Sequence, residues 1–386
     1  MMTAAKHDDR KGHHYYTTAS QADAFVYSSD DPCGHHGREA VIMGEEPSSW
    51  ARNRHHGRGA VIMGEGTVIM GEGPSSWARD GHHGGGTVIM GEGTMEHYSK
   101  VSMPHNKGQL HLHFTHDQER HSTQLTVREQ HPPLQVIRAF PLATGGVLVH
   151  VHNVSGGVLG GDQLVLDVEV GPGAQVQLTS TSATRLYRSR PEASPATQTG
   201  TIKICEGALL EYLPDPLIPF SGSRYQQRTR IDLEADAGLF WWETITPGRV
   251  ARGELFDYAH LLLSLNISAQ GRPIAIESLK LEPHCRELSS LARLGPYYYF
   301  CSFYICRVGL EAGRWSTLEK ELGALAQELS RPGELHWGVS TLVAHGLVVR
   351  ALSRQGRDIA PGLLAFWRAA KQRIYGEEPV PPRKIY

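Results

Sequence analysis

The chain has 386 residues, 40% of them hydrophobic, and a formal net charge of -2. A chain of this length can bury a substantial core, and its near-neutral charge excludes a global bias toward nucleic acid or anionic membranes. The sequence has no run of about eighteen apolar residues to span a bilayer and its N-terminus lacks the apolar core of a secretory signal. We therefore expect a globular cytoplasmic protein without a nucleic-acid or membrane partner.

Near-copies of one unit fill residues 33–94. They read HHGREAVIMGEEPSSWAR, HHGRGAVIMGEGTVIMGEGPSSWAR and HHGGGTVIMGEGT. Stacked repeats need an apolar face on each unit, whereas only VIM and one tryptophan recur here among glycines and charges. We predict that residues 1–104 form a low-complexity N-terminal extension that is either disordered or a mis-assigned start, with Met95 as an alternative first residue. Residues 105–386 are predicted to form a separate β domain.

The N-terminal extension also carries histidine doublets, which leave a second interpretation open. They are His13-His14, His35-His36, His55-His56 and His82-His83. Neutral imidazole suits nickel, so a repeat-bearing metal-storage protein is one alternative. Without a fixed scaffold such a site has poor selectivity, and the doublets also follow directly from the repetition.

From Ser122 onward the hydrophobic pattern has a period of two, which predicts β-strands. The first clear strands are GVLVHVHNV and QLVLDVEV. Further strands are predicted at short spacing: AQVQLTS, GTIKIC, ALLEYL, RTRIDLE, LFWWETI, HLLLSLNIS, PIAIESLKLE, HWGVSTLVA and LVVRALS. RPEASPATQTG, residues 190–200, has the composition of a mobile loop. The pattern predicts a mainly β, multi-layered fold.

Helix signals are few and lie late in the chain. Ser316-Thr317-Leu318-Glu319 resembles a capping box that would open the helix EKELGALAQELS. In residues 359–374 an apolar stripe predicts a second helix; it comprises Leu363, Phe366, Trp367, Ala370 and Ile374. We expect about two α-helices, both in the C-terminal part.

The glycine-rich stretch NVSGGVLGGDQLVLDV, residues 153–168, raises the question of a phosphate-binding loop. Such a loop aims a helix N-terminus at the anion, but here a strand pattern follows the glycines. The glycines are better explained as tight corners in a β fold. That explanation leaves the role of Asp162 open, either in a turn cap or in a functional site.

The same stretch, extended through QVQLTSTSATRLYRS, resembles the signature of the urease accessory proteins called UreD or UreH. The resemblance continues through ALLEYLPDPLIPFSGSRYQQRT, LFWWETITPGRVARGELFDY and the terminal PRKIY, and covers roughly residues 120–386. It implies a β-helix-like stack of short strands with a pair of helices. It also implies a non-catalytic protein that helps deliver nickel to apo-urease with the partners UreF and UreG, and it leaves open a dimer within the accessory complex.

The resemblance further implies an internal tunnel for nickel in transit, with no permanently bound cofactor. The family's tunnel positions fall on Asp162, Thr184, Glu243 and Glu277. Oxygen ligands hold nickel weakly enough to release it, which suits passage. Taken without the resemblance, the same residues have structural alternatives: a turn cap for Asp162, a pair with Arg249 or Arg252 for Glu243, and an edge-strand charge for Glu277.

A second class of function stays open from the residues alone. A β-rich hydrolase of the glycosidase type could use two carboxylates as acid and base. The candidates for that pair are Asp162, Glu211, Glu243 and Glu254. No two of them lie in a recognisable catalytic motif, so the accessory function is the leading hypothesis.

Overall fold

The structure, a computed structural model, describes residues 106–382. The predicted N-terminal extension, its histidine doublets and the boundary at residue 104 lie outside the described residues, as do the last four residues of the PRKIY motif. Within the described part the chain forms eighteen β-strands and two α-helices, so the predicted mainly β class with two helices in the C-terminal part is confirmed.

The strands are β1 (Lys107–Asp117), β2 (Ser122–His131), β3 (Leu134–Gln135), β4 (Ala139–Pro141), β5 (Val147–Asn153), β6 (Gln163–Val170), β7 (Gln175–Ser180), β8 (Thr184–Leu186), β9 (Ala196–Ile204), β10 (Leu209–Tyr212), β11 (Leu217–Pro219), β12 (Arg224–Leu233), β13 (Gly238–Ile245), β14 (His260–Ala269), β15 (Arg272–Leu281), β16 (Tyr299–Arg307), β17 (Leu335–Thr341) and β18 (Gly346–Ser353). The helices are α1 (Ala312–Leu329) and α2 (Ile359–Tyr375).

Two sheets carry most of these strands. The first sheet has the order β15-β14-β12-β9-β6-β1-β2, and the main path of the second is β17-β18-β16-β13-β10-β7-β5-β3. From β5 to β14 the long strands alternate between the sheets, and neighbours such as β6 and β9, or β7 and β10, pair in parallel. The chain therefore winds through successive coils, which is the β-helix-like stack that the resemblance implied.

The turns between coils stack in the same way as the strands. Gly173 and Gly207 adopt positive φ angles of 68° and 63°, which glycine tolerates without strain. The Gly173 N–H donates to the Glu206 carbonyl at 3.0 Å, and the Gly207 N–H donates to the Ala235 carbonyl at 3.0 Å. Each turn is thus hydrogen-bonded to the turn of the next coil, which holds the coils in register.

The second sheet has a different packing layer on each of its faces. One face meets the first sheet, in what we call the inter-sheet layer, where Leu112, Leu166 and Leu210 are buried. The other face is covered by α1 and α2 in the helix layer, which buries mainly aromatic and aliphatic side chains, among them Phe303 and Trp367. Along β13 the alternation is direct: Trp241 belongs to the inter-sheet layer and Trp242 to the helix layer.

The second helix agrees with its prediction and the first does not. In α2 the five residues of the predicted apolar stripe are all buried. The predicted start of α1 at the capping box is wrong, because α1 begins at Ala312 with Glu311 as its N-cap residue. The Ser316 hydroxyl instead donates to the Ala312 carbonyl one turn earlier at 3.3 Å, a bond that a helix interior offers to serine.

The predicted mobile loop at residues 190–200 is only partly correct. β9 begins at Ala196, and its first residues pair in parallel with β6 and with β12. The polar composition misled the prediction because a strand between two parallel neighbours can carry threonine and glutamine. In the described part of the chain no helix is long and apolar enough to cross a bilayer.

Candidate functional site

Three cavities follow one another inside the inter-sheet layer. The first has a volume of about 70 Å³, the second about 60 Å³ and the third about 20 Å³. Thr184 and Tyr212 line both the first and the second, while Glu243 and Leu263 line both the second and the third. Since a water molecule needs roughly 10–15 Å³, each cavity can be hydrated. We call this series of cavities the polar track.

The predicted residues Thr184, Glu243 and Glu277 all line the polar track. Thr184 opens β8 where the first two cavities meet, Glu243 lies on β13 between the second and third, and Glu277 lies on β15 beside the third. β13 belongs to the second sheet and β15 to the first. The fold therefore places three residues from distant parts of the chain along one internal path.

Glu243 is held in a largely apolar wall. It is partly accessible, and its carboxylate accepts a hydrogen bond from the Gln227 side chain of the first sheet. Burial raises the pKa of Glu243 to about 7; the bond from Gln227 opposes this shift and the negative charge of Glu277 adds to it. The group can therefore change between its neutral and charged forms near neutral pH.

Three aromatic residues surround the second cavity next to Glu243. Tyr212 and Trp241 stack with ring centroids 4.2 Å apart, and the Tyr225 hydroxyl lies 3.1 Å from the side-chain oxygen of Gln227. Burial, and secondly the charge of Glu243, raises the pKa of both Tyr212 and Tyr225. Both phenols are therefore neutral at physiological pH, and Glu243 is the ionisable group of this cavity that titrates near pH 7.

Glu277 is surrounded by donors from the second sheet. The Tyr304 hydroxyl donates to one carboxylate oxygen and the Ser302 hydroxyl lies 3.3 Å from the other. The Arg350 guanidinium is 3.4 Å from the oxygen that Tyr304 also contacts. Glu277 does lie on an edge strand, as the structural alternative proposed, but its side chain points between the sheets.

Asp162 has a different environment from the other three. It is 1% exposed, and its two oxygens accept hydrogen bonds from the backbone N–H groups of Asn106 at 3.0 Å and Leu159 at 2.9 Å. The structure thus shows the turn cap that was one of its two interpretations. Asp162 is not among the residues that line the three cavities, so its role in passage stays a prediction.

Glycines around Asp162 act as tight corners. Gly161 has a φ angle of 90°, and a side chain on Gly157 would approach the Arg185 carbonyl to 2.7 Å. Val158, one of the two residues between the glycine pairs, forms a parallel bridge with Leu186. This arrangement agrees with the exclusion of a phosphate loop, because β5 precedes the glycines and β6 follows them, with no helix between.

The remaining candidate carboxylates are each engaged elsewhere. Glu211 is 3% exposed and lies 3.0 Å from the Lys371 ammonium, while Glu254 forms an ion pair with Arg249. Arg249 therefore does not pair with Glu243, contrary to that structural alternative. Since the four acids have separate partners, the structure adds no support to a hydrolase with paired carboxylates.

Four residues at or beside the polar track were not predicted as site residues from the sequence. They are Gln227 and Ser302, which line its cavities, and Tyr304 and Arg350, which contact Glu277. The sequence signal for such residues is a polar side chain on the strand face that points between the two sheets. That face can be identified only after the pairing of the strands is known. Among residues 106–382 no group of three or more His, Cys, Asp or Glu side chains is arranged to hold a metal ion. The track thus offers single oxygen ligands in sequence.

Comparisons with known proteins agree with the resemblance seen in the motifs. A family model described as UreD urease accessory protein matches residues 106–385. The urease accessory protein UreD of Herpetosiphon aurantiacus is 51% identical over 279 residues, which are 72% of this chain and 96% of that relative. The protein of the same name from Pseudomonas fluorescens is 31% identical over 265 residues, with 68% and 89% covered. The matched region contains every residue of the polar track.

Proposed function

Because the chain belongs to the UreD family of urease accessory proteins, we propose that it is a non-catalytic scaffold that helps insert nickel into apo-urease. It acts in the cytoplasm with the accessory proteins UreF and UreG, and nickel is its cargo and not a resident cofactor. The coverage of the relatives supports this proposal, since the chain spans 96% of the Herpetosiphon protein.

The polar track is the observation that carries the proposal. Thr184, Glu243 and Glu277 succeed one another along it and supply one hydroxyl and two carboxylates. Water can fill the cavities between them, so a hydrated cation would meet an oxygen ligand at each step. We propose that nickel passes from the Thr184 end toward Glu277 or in the reverse direction.

The chemistry of the lining suits transit better than storage. A site of several imidazoles or thiolates would retain nickel, whereas isolated oxygen ligands bind it weakly. Glu243 adds a means of release, because a carboxyl with a pKa of about 7 can take up a proton as the cation leaves. In this proposal Asp162 supports the path from outside by fixing the glycine corners beside the first cavity.

The test is the nickel content of urease from cells that carry variants of this chain. We expect Glu243→Gln to lower the nickel bound per urease active site by about tenfold, the scale on which metal sites respond to the loss of one supporting group. The matched control is Glu328→Gln, which removes the same charge from an exposed position on α1.

Two results would contradict this proposal. Fully loaded urease with Glu243→Gln would mean that nickel does not depend on the polar track. A parallel loss of binding to UreF would mean that Glu243 maintains the structure and has no specific effect on the metal. We expect the amount of complex with UreF to be the same for Glu243→Gln and Glu328→Gln.

A further inference from the structure

The polar track continues across the second sheet as a row of residues that ends near the edge of that sheet. Glu243 on β13 is directly opposite Ser302 on β16, Ser302 is opposite Arg350 on β18, and Arg350 is opposite Gly338 on β17. Residues opposite each other in a sheet project from the same face. A polar row therefore runs from the second cavity to the edge of the sheet.

Arg350 lies where the first sheet stops covering this row. β15 is the edge strand of the first sheet, and its Glu277 reaches toward β16 and β18. The Arg350 side chain is 57% exposed, whereas the side chain of Glu277 is 27% exposed. Beside Arg350, an added side chain on Gly338 would meet no atom within 4 Å. The guanidinium thus stands between Glu277 and open solvent.

The Arg350 guanidinium occupies the position next to the Glu277 carboxylate that would attract a cation. The guanidinium lies 3.4 Å from one carboxylate oxygen and 3.5 Å from the Tyr304 hydroxyl, which donates to the same oxygen. Burial is the largest single influence and opposes the charged form of Arg350, but Glu277 and the Tyr304 hydroxyl together outweigh it and raise the pKa of the guanidinium. Arg350 therefore keeps its positive charge at the end of the track.

We propose that Arg350 is a tethered counter-ion of Glu277, which a divalent cation must displace in order to bind this carboxylate. This proposal rests on the proposed function, and it adds a mechanism that limits the affinity of the track for nickel. While the track is empty, Arg350 balances the charge of Glu277. When a cation arrives, the guanidinium turns toward the open space beside Gly338, and it returns when the cation leaves.

This exchange keeps the affinity for metal low at the point where metal must be released. Competition from an attached cation weakens binding, and it also accelerates release because the replacement ligand is already in place. The Coulomb repulsion between the guanidinium and the metal acts in the same direction. Removal of Arg350 should therefore increase the affinity for metal and impair its onward transfer.

The experiment measures binding of Ni²⁺ alone to the purified full chain by isothermal titration calorimetry. We expect Arg350→Ala to bind Ni²⁺ about tenfold more tightly than the wild type, a gain that corresponds to about 1.4 kcal/mol. Arg350→Lys retains the charge and should stay close to the wild type. The matched control is Arg228→Ala on β12, which removes an exposed arginine outside the three cavities and should leave the affinity unchanged.

Chemical rescue separates a counter-ion from a merely structural role. Free guanidinium at a non-denaturing concentration should lower the Ni²⁺ affinity of Arg350→Ala toward that of the wild type, and it should have little effect on Arg228→Ala. The double variant Arg350→Ala, Glu277→Gln should lose the gain, since an uncharged amide then replaces the carboxylate for which the two cations compete. If Arg350→Ala does not fold, Arg350→Gln takes its place in the same titrations.

The proposal is overturned if Arg350→Ala binds Ni²⁺ no better than Arg228→Ala, if neither binds it, or if the gain persists in the double variant. These titrations contain no urease and no partner protein. They can therefore fail while Glu243→Gln still lowers nickel loading, or succeed while loading is normal. The failure of the counter-ion role and the failure of the proposed function are thus distinguishable.

Discussion

The helix layer and the inter-sheet layer are built on opposite faces of the same strands, and they differ in polarity. In the helix layer β13 buries Phe240 and Trp242 against α2 and β16, and the Trp242 and Trp367 rings meet edge to face with centroids 6.4 Å apart. In the inter-sheet layer the next residue along, Glu243, borders two cavities that are large enough to hold water. The period of two in a β-strand lets one sequence supply a dense core and a polar path together.

Stability and metal transport therefore depend on opposite faces of the second sheet. The inter-sheet layer is apolar over most of its area, but the polar groups along the track reduce its contribution to folding, because their desolvation offsets part of the gain from burial. The helix layer compensates by packing large aromatic side chains at the density of a protein interior. Changes in the helix layer should therefore alter the amount of folded protein, whereas changes in the polar track should alter metal handling in protein that is still folded.

The largest expected effect is in the aromatic core of the helix layer. Phe366 is fully buried, so Phe366→Ala should lower the free energy of unfolding by about 3–5 kcal/mol. Leu364→Ala on the same helix is the matched control, since that side chain is 37% exposed and its loss should cost less than about 1 kcal/mol. Urea titration measures both. A stable Phe366→Ala protein that fails to load urease would contradict the assignment of stability to the helix layer and of metal transport to the polar track.

A buried ion pair in the helix layer is the next test. Lys371 on α2 lies 3.0 Å from Glu211 on β10, and the Trp367 indole donates to the same carboxylate at 2.8 Å. Lys371→Met leaves Glu211 buried without its cation, which should cost about 3 kcal/mol.

Two companion variants make the ion-pair prediction specific. Adding Glu211→Gln to Lys371→Met should restore part of the stability, because no unpaired charge then remains in the core. The exposed pair Arg373–Glu321, at 2.8 Å, is the control: Arg373→Gln should cost less than about 1 kcal/mol. Equal losses from the buried and the exposed pair, measured by urea titration, would contradict the contrast.

Most of the long strands were predicted from the sequence, β13 among them, but β1 and β16 were not. β16, with the sequence YFCSFYICR, is apolar on both sides because it lies between the two layers, so its pattern does not alternate. β13 is apolar on both sides for the same reason, and Glu243 is the residue that interrupts it. A charge inside such a strand is the one local sign of the polar track.

The partners of the candidate site could not be predicted because they depend on strand pairing between distant segments. Tyr304 meets Glu277 only because β15 of one sheet lies over β16 of the other. Asp162 bonds to the Asn106 N–H, 56 residues earlier, across the parallel pair β1 and β6. The assignment of Thr184, Glu243 and Glu277 to one path came from family resemblance, since no periodicity or spacing joins them.

The smallest expected effect is a dependence of the free energy of unfolding on pH, caused by Glu243. Burial raises the pKa of Glu243 from 4.5 to about 7, so near neutral pH the folded chain retains a proton that the unfolded chain has already released. This contribution to stability is complete below about pH 4.5 and is lost as pH rises through about 7. The loss should be about 2 kcal/mol, since partial solvation of the carboxylate reduces the full effect of the shift.

Glu243→Gln remains neutral at every pH and isolates this contribution. Between about pH 5 and about pH 8 the wild type should lose stability relative to Glu243→Gln, as measured by urea titration at each pH. Because each measurement is a difference, the titration of all other groups cancels to first order. Parallel pH profiles would mean that Glu243 is well solvated and titrates normally. The cavities beside Glu243 would then be freely open to solvent, and Glu243 could not exchange a proton for a cation near neutral pH.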